Sequence, residues 1–206
     1  MHDIPLLVVA LIVSAYWLRV GAMAIRIRRR EHRDVGMVPE RPGERLMWLL
    51  LVPMVVAWCV LPWVALAHSR GPFSLPGFAT AGAWPVLRWV AAAAAVAGFA
   101  MTIECWRRMG KDWRMDISDE HTVLITDGPF RRVRHPIYAF SILIMLATAV
   151  VLPTPSTLAL AALHLSLMNI KARSEEAHLA RMHGDAWLRY VERTGRFLPR
   201  LAGRHS

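Results

Sequence analysis

Two short clusters of polar residues in the second half of the sequence could carry chemistry. The first is residues 128–138, with the sequence GPFRRVRHPIY. Gly-Pro favours a turn and Pro136 suits the first turn of a helix, so Arg134, His135 and Tyr138 would gather around a helix N-terminus. Such an end offers free N–H groups and a positive dipole, which suit a carboxylate or phosphate. Alternatively, these arginines only anchor the helix against lipid head groups, although that role does not explain the His-Pro-x-Tyr pattern.

The second cluster is residues 171–176, with the sequence KARSEE, directly after an apolar stretch. Adjacent acids at a membrane boundary are costly unless they have partners. Lys171 and Glu175 are four residues apart and could form a simple helical ion pair. That pair does not account for Glu176, which points about 100° away around the helix. Glu176 is therefore a candidate functional residue.

Five apolar segments must position these clusters, since a bilayer span needs about 20 mainly apolar residues. They are Ile4 to about Ile25, Leu46–Ala67, about Ala83–Cys105, Pro136–Leu152 and Ser156–Ile170. The last two are joined by Pro153-Thr154-Pro155, which predicts a tight antiparallel hairpin. The hairpin would bring the two polar clusters together, where an anion-binding helix end faces an acidic pair. That arrangement could hold a zwitterion with an amino acid head.

The 206 residues are 55% hydrophobic, yet the formal net charge is +10. This composition excludes a disordered chain and, with two cysteines, a disulfide scaffold. The basic residues form three blocks: residues 26–45, residues 107–134 and the tail from residue 171. Five spans put all three blocks on one face, so the positive-inside rule predicts an outside N-terminus and a cytoplasmic C-terminus. Most tryptophans lie in or beside apolar runs rather than among the arginines, which excludes a nucleic-acid partner.

The sequence therefore predicts an all-α polytopic membrane protein in a single domain. Residues 1–106 would form three N-terminal transmembrane helices, and residues 107–206 the polar loop, the helical hairpin and a tail. Helical spacing over residues 175–190 predicts a tail helix along the cytoplasmic surface.

The histidines do not indicate a metal site. His164 and His68 are predicted at different depths, whereas a haem anchor uses paired histidines inside the bundle. His178 and His183 are five residues apart, which is not the spacing of zinc hydrolases. We therefore expect no metal.

Residues 109–199 resemble the integral-membrane methyltransferases that include isoprenylcysteine carboxyl methyltransferases and phospholipid N-methyltransferases. The resemblance depends on the order and spacing of several short pieces: Gly128-Pro129-Phe130-Arg131, Arg134-His135-Pro136-Ile137-Tyr138, Glu175-Glu176, Leu179, Gly184, Trp187, Tyr190 and Phe197-Leu198-Pro199. Two positions depart from the usual pattern: Phe130 replaces a tyrosine, and Leu152 replaces the asparagine that some carboxyl methyltransferases carry before the hairpin proline.

The resemblance implies S-adenosylmethionine as the methyl donor, bound on the cytoplasmic side. It implies that His135 and Tyr138 contact the donor, with Arg134 and Gly128 in the same loop and Glu175 holding the amino acid or ribose end. In the carboxyl methyltransferases an arginine and a glutamate five residues later flank the reacting centre. Glu176 matches that glutamate, Lys171 stands at the arginine position, and Arg173 could substitute from nearby. These three residues are the catalytic candidates.

The implied reaction transfers a methyl group to a lipophilic or small-molecule acceptor among the membrane lipids. A carboxylate acceptor would need only a cation to position it, whereas an amine must lose a proton, for which Glu176 could serve. Phospholipid or other amine N-methylation, small-thiol S-methylation, a sterol reductase with a related core and a non-catalytic membrane anchor are the alternatives. Arginine outnumbers lysine 23 to 2, which hints at a GC-rich bacterial genome and so at the bacterial inner membrane.

Overall fold

The computed structural model describes residues 3–31, 42–68, 70–110 and 124–200, and within these ranges its regular structure is helical. The six α-helices are α1 (Ile4–Glu31), α2 (Pro42–Ala67), α3 (Trp84–Met109), α4 (Pro136–Val151), α5 (Pro155–His183) and α6 (Asp185–Arg193). The all-α prediction is confirmed. Parts of the first two basic blocks, residues 32–41 and 111–123, lie outside the described residues.

Three of the helices are long and apolar enough to cross a bilayer. Their spans are Ile4–Arg29, Met47–Ala67 and Trp84–Met109, with mean hydropathies of 2.0, 2.4 and 1.8. Helix α4 is also apolar but has 16 residues, or about 24 Å of helix. The outer surfaces carry exposed large apolar side chains, among them Leu18, Leu49 and Val86. Exposing such a large apolar surface to water is unfavourable, and a lipid environment removes that cost. The chain is therefore a polytopic membrane protein.

A stripe of small residues lets α3 and α4 pack closely. Ala91, Ala95, Gly98 and Thr102 recur every three or four residues along α3 and are buried. A Cβ added at Gly98 would lie 3.3 Å from a methyl carbon of Leu143 in α4. Small residues at this spacing are typical of close helix contacts in membranes. One hydrophobic core then joins residues from all of α1 to α5.

Polar side chains also link the helices inside the bundle. The Trp58 Nε1–H of α2 donates a hydrogen bond of 3.0 Å to Thr148 Oγ1 of α4. Ser141 Oγ of α4 lies 3.0 Å from His164 Nε2 of α5. His164 is thus one member of an interhelical hydrogen bond, which is how buried polar groups in membranes are commonly satisfied.

Arg88 closes the end of the bundle where α1 and α3 begin and α4 ends. Its guanidinium forms an ion pair with Asp3 and donates from Nε to the Val151 carbonyl oxygen at 2.9 Å. Trp84 Nε1–H donates to the preceding carbonyl, that of Val150, at 3.2 Å. These donors satisfy carbonyl groups that the last turn of α4 leaves without helical partners.

The predicted hairpin between α4 and α5 is confirmed. Helix α4 ends at Val151, and α5 begins at Pro155. Thr154 caps α5 by a reciprocal pair of side-chain and backbone hydrogen bonds with Thr157. Only three residues separate the helices, so they must run antiparallel.

Helix α5 is longer than the sequence predicted. It continues for 29 residues through the expected end of the last span, so the Lys171–Glu176 segment belongs to the same helix as that span. The break falls instead at Gly184, whose φ of +49° favours glycine, and α6 follows. No glycine or proline lies between residues 156 and 183 to end the helix earlier. Residues 171–183 therefore extend past the start of α4.

Candidate functional site

The loop before α4 delivers His135 to the start of that helix. A short 3-10 helix, Gly128–Arg131, precedes it, and Pro136 occupies the first turn of α4 as predicted. His135 is the N-terminal flanking residue of α4 and is buried. The Ala139 N–H donates to the His135 carbonyl oxygen at 2.9 Å, which continues the helical pattern to this residue.

The C-terminal residues 194–200, here called the C-terminal strap, lie beside this loop. The Arg134 N–H donates to the Gly195 carbonyl at 2.8 Å, and the His135 N–H donates to the Arg196 carbonyl at 3.1 Å. Val133 and Gly195 form a parallel β-bridge. A Cβ at Gly195 would lie 1.8 Å from the Leu198 carbonyl oxygen, so the strap can make its turn only with glycine there.

Helix α6 holds the strap in place. The Tyr190 hydroxyl donates to the Phe130 carbonyl oxygen at 2.7 Å, which joins α6 to the loop before α4. Thr194 Oγ1 donates back to the Tyr190 carbonyl at 2.6 Å and so fixes the start of the strap. Burial raises the pKa of Tyr190 to about 12, and the hydroxyl therefore stays a donor at neutral pH.

Glu176 is bound by two arginines from different parts of the chain. Arg134 Nε donates to Glu176 Oε1 at 3.0 Å, and Arg196 Nη2 donates to Oε2 at 2.6 Å. Burial alone would raise the pKa of Glu176, but contacts with His135, Arg196 and Arg134 outweigh it and lower the pKa well below its ordinary value. Glu176 is therefore ionised across the physiological pH range.

Glu175 has a separate set of partners. The Tyr138 hydroxyl donates to Glu175 Oε1, and Lys171 Nζ lies 3.6 Å from the same oxygen. His135 Nδ1 lies 3.4 Å from Oε2. Burial again acts to raise the pKa of Glu175, yet the contacts with His135, Lys171 and Tyr138 lower it overall. The i,i+4 pair that the sequence predicted is present as one part of a larger network.

His135 lies between the two carboxylates. Its ring stacks on Tyr138, with the planes 2° apart and the centroids 5.5 Å apart. Burial acts to lower the pKa of His135, but the contacts with Glu175 and Glu176 outweigh burial and raise it. Nε2 lies 3.4 Å from Glu176 Oε1, and this buried atom has no hydrogen-bond partner within the part of the chain that the structure describes. Each ring nitrogen therefore has a carboxylate oxygen within ion-pair distance.

Six of the residues singled out in the sequence lie together in the structure. With Arg196 they form the set that we call the polar cluster: Arg134, His135, Tyr138, Lys171, Glu175, Glu176 and Arg196. It occupies the end of the bundle where α4 begins. Arg173, the third catalytic candidate, is exposed on α5, two residues and so about 200° away from Lys171. The structure does not bring Arg173 into the cluster.

Gly128 is in the loop, but its surroundings favour a packing role. Its φ is +55°, and an added Cβ would lie 2.4 Å from Arg108 Nε. Arg108 in turn forms ion pairs with Glu104, at 2.8 Å, and with Asp127. Gly128 therefore lets the loop approach the end of α3, and its predicted contact with a donor molecule stays a prediction.

Sequence reasoning missed Arg196 and Asn169. Arg196 belongs to the strap and lies 20 residues after its partner Glu176, and Arg196 Nη1 also donates to Asn169 Oδ1 at 3.1 Å. One signal could have pointed to Arg196, namely its position directly before the Phe197-Leu198-Pro199 motif. Asn169 offered a weaker signal, a lone amide at the end of an apolar run.

Comparison with known proteins connects this site to a family of enzymes. The sequence profile of the phospholipid methyltransferase family matches residues 86–186, just under half of the chain. The match runs from the start of α3 to the start of α6 and confirms the resemblance seen in the sequence. This segment of the chain is accordingly similar to phospholipid methyltransferases. A comparison with curated protein sequences found no match.

Proposed function

We propose that this protein transfers a methyl group from S-adenosylmethionine to a lipophilic acceptor at the cytoplasmic face of the membrane. One observation carries the proposal: the segment that matches a methyltransferase family contains six of the seven members of the polar cluster. This cluster is a charged network at one end of an apolar helical bundle. Burying charged groups costs free energy of folding. A non-catalytic membrane anchor would gain nothing in return for that cost.

The polar cluster fits a zwitterionic donor molecule. The Glu175 carboxylate keeps a quarter of its side-chain surface exposed and could accept hydrogen bonds from an ammonium group or a ribose hydroxyl. His135, between the two carboxylates, brings its ring nitrogens to the same site. Arg134 and Lys171 supply cations for a carboxylate. S-adenosylmethionine, when bound, supplies a methyl group on a sulfonium centre and leaves as S-adenosylhomocysteine.

The residues of the chain would contribute mainly by positioning, since a displacement at a methyl carbon depends strongly on alignment. Glu176 was a candidate base for an amine acceptor, but its lowered pKa makes it a weak one. We propose instead that ionised Glu176 positions Arg134 and Arg196. Lys171 remains the proposed cation beside the reacting centre.

Among acceptors, the matched family favours an amine phospholipid. An ammonium group on the acceptor would first lose a proton to water; its nitrogen would then bond to the methyl carbon as the sulfur–methyl bond breaks. The amine must therefore be neutral when it reacts. Nearby positive charge lowers the pKa of an amine, so the cations of the cluster would favour the neutral form.

The proposed topology follows from the charge blocks and the position of the cluster. Arg134 and the residues from Lys171 onward belong to basic blocks that the positive-inside rule assigns to the cytoplasm. We therefore propose a cytoplasmic C-terminus, an outside N-terminus, α5 as a fifth crossing and the bacterial inner membrane as the location. A polar donor would then reach the cluster from the cytosol and a lipid from the bilayer.

The test uses isothermal titration calorimetry to measure binding of S-adenosylhomocysteine to the purified full-length protein in lipid nanodiscs. We expect the wild-type protein to bind, and His135→Ala to weaken binding by at least tenfold. His68→Ala is the matched control, because His68 is exposed at the opposite end of the bundle. Folded wild-type protein that binds no S-adenosylhomocysteine would contradict the proposal and favour the anchor alternative.

A further inference from the structure

Three arginines share one face of α1 near its C-terminal end. Arg19, Arg26 and Arg29 lie within an arc of about 80°, since each residue turns a helix by about 100°. Ala22 lies on the same arc between Arg19 and Arg26, whereas Arg28 points about 200° away from Arg26. Arginines that only anchor a helix need no common face, because their long side chains can reach the membrane surface from any side of it. The shared face therefore indicates a role beyond anchoring.

A surface groove of about 380 Å³ lies on this face of α1. Its lining within the described residues consists of Ala22, Ile25, Arg26 and Arg29, and we call it the α1 groove. Ligand pockets in proteins have volumes of roughly 300–1,000 Å³, so the α1 groove is large enough for the head of an amphiphile. Two of the lining residues are apolar and two are cationic. The lining therefore suits a ligand that has both an apolar part and an anionic part.

The guanidinium groups of the α1 groove are available to such a ligand. Arg26 and Arg29 are exposed, and neither forms an ion pair or a side-chain hydrogen bond within the part of the chain that the structure describes. Each guanidinium has five N–H donors in a fixed fork, which matches the oxygens of a phosphate. The two arginines lie about 4.5 Å apart along the helix axis, and their side chains can therefore reach the same phosphate.

The α1 groove lies where an apolar span meets the membrane surface. The span is Ile4–Arg29, so Arg26 and Arg29 occupy its last turn. The apolar side chains that precede them point outward, since Leu18 is 73% exposed and Ile25 is 50% exposed. Side chains of this kind contact acyl chains in a bilayer, whereas arginines at the end of a span lie at the depth of the lipid phosphates. A phospholipid matches both parts of this surface, whereas a free phosphate ion would leave the apolar part uncovered.

We propose that the α1 groove is a binding site for an anionic phospholipid of the membrane. The lipid phosphate accepts charge-assisted hydrogen bonds from Arg26 and Arg29, and an acyl chain packs along Ile25 and Leu18. The small side chain of Ala22 leaves room for the glycerol part of the lipid. This inference does not depend on methyl transfer, because α1 lies outside the segment that matches the methyltransferase family.

A lipid in the α1 groove would also stabilise the packing of α1. Another face of the same helix end, with Met23, Ala24 and Ile27, is buried in the hydrophobic core. A ligand that binds only the folded state raises its stability. The melting temperature of the protein should therefore rise as anionic phospholipid is added.

Native mass spectrometry of the full-length protein in detergent would measure the affinity. Dioleoylphosphatidylglycerol is the anionic probe, and dioleoylphosphatidylcholine is the zwitterionic comparison. We expect wild type to bind phosphatidylglycerol at least about tenfold more tightly than phosphatidylcholine. Arg26→Gln should weaken phosphatidylglycerol binding by about tenfold, because it removes charge-assisted hydrogen bonds. Ala22→Trp should weaken it as well, since it fills the groove without changing the charge.

Arg28→Gln is the matched control for the loss of charge. It removes an exposed arginine from the same end of α1 but from another face, and phosphatidylglycerol affinity should stay within about threefold of wild type. Melting temperatures in phosphatidylcholine should be the same for wild type and all variants, which shows that each variant is folded. Glycerol 3-phosphate, which has the phosphate but no acyl chains, should bind at least about tenfold more weakly than phosphatidylglycerol.

Three results would overturn the inference. Equal affinities of wild type for phosphatidylglycerol and phosphatidylcholine would show that no anionic lipid is selected. Equal losses in Arg26→Gln and Arg28→Gln would show a diffuse attraction to positive charge rather than a site. Glycerol 3-phosphate bound as tightly as phosphatidylglycerol would assign the α1 groove to a soluble phosphate compound. Each of these results leaves the proposed methyl transfer untouched, because that function is tested by S-adenosylhomocysteine binding.

Discussion

Arg196 and Glu176 are joined by a two-pronged ion pair between the C-terminal strap and α5, with Arg196 Nη2 at 2.6 Å from Oε2 and Nε at 3.1 Å from Oε1. Glu176 also accepts a hydrogen bond from Arg134, so one carboxylate connects the loop before α4, the helix α5 and the strap. The two arginines come from segments about 60 residues apart that share the hydrogen bonds of the β-bridge. This single acid therefore organises the candidate site.

Replacing Glu176 with Gln should destabilise the protein and reduce methyl transfer. The change leaves two guanidinium groups without their counter-charge, and we expect a loss of about 2 kcal/mol, below the roughly 3–5 kcal/mol of a fully buried pair. Thermal unfolding in detergent would measure it, with Glu192→Gln on the exposed face of α6 as the control. Equal melting temperatures for the two variants would show that Glu176 does not organise the site.

Lys171 and Arg173 provide a test of geometry against sequence resemblance. Lys171 contacts Glu175, whereas Arg173 is exposed on another face of α5. We expect Lys171→Ala to lower the methyl-transfer rate at least tenfold and by a larger factor than Arg173→Ala. Arg181→Ala, also exposed on α5, is the control for loss of surface charge. A larger effect at Arg173 would show that the reacting centre lies elsewhere on the helix.

The stability of the protein should depend on pH through His135. The folded-state pKa of His135 is raised above its ordinary value, so its contribution is fully present below about pH 6.5 and is lost as pH rises through the folded-state pKa. The difference in melting temperature between wild type and His135→Gln should therefore shrink as the pH rises above about 6.5. A difference that grows with pH would reverse the assigned sign.

The two carboxylates of the polar cluster should make the stability of the protein depend on pH under acidic conditions. The pKa values of Glu175 and Glu176 are lowered, so their contribution to stability is present above about pH 4.5 and is lost as pH falls through the folded-state values. We expect the melting temperature of wild type to fall below about pH 4.5 more steeply than that of Glu176→Gln. Parallel acid profiles for the two proteins would argue against the network.

Gly195→Ala should detach the strap. The new Cβ would meet the Leu198 carbonyl oxygen, and that clash involves backbone that cannot turn away cheaply. We expect faster proteolytic cleavage after residue 193 and at least a tenfold loss of S-adenosylhomocysteine binding. Gly77→Ala is the matched control, because nothing lies within 4 Å of a Cβ at that position. Unchanged proteolysis of Gly195→Ala would show that the strap is not held by this turn.

Arg88→Leu should affect stability but not the site. The change leaves Asp3 without its ion partner and removes the donor to the Val151 carbonyl, at the opposite end of the bundle from the polar cluster. We expect a loss on the order of 3 kcal/mol, seen as a lower melting temperature. S-adenosylhomocysteine affinity of the folded fraction should equal that of wild type, and Arg70→Leu should change neither quantity.

Local sequence features predicted most of the architecture. The apolar runs identified three long helices and the shorter α4, and the Pro-Thr-Pro turn identified the hairpin. They also predicted helix ends where proline and capping residues mark them, as at Pro136 and Thr154. The prediction that the last helix ends at residue 170 was wrong, because a drop in hydropathy does not end a helix. Helix α5 continues to His183, since no glycine or proline interrupts it before Gly184.

The sequence by itself determined that this is a helical membrane protein with a methyltransferase-like hairpin, and it identified six members of the polar cluster. The helical membrane architecture depends on composition and periodicity, and the methyltransferase likeness depends on the resemblance of short motifs to a known family; all of these are local properties. Only the tertiary structure decided which cations pair with Glu176, that Arg196 completes the cluster and that Arg173 stands outside it. Partners 20 and 42 residues apart in sequence meet because the strap turns back at Gly195 and bonds to the loop before α4, and no periodicity in the sequence records that path.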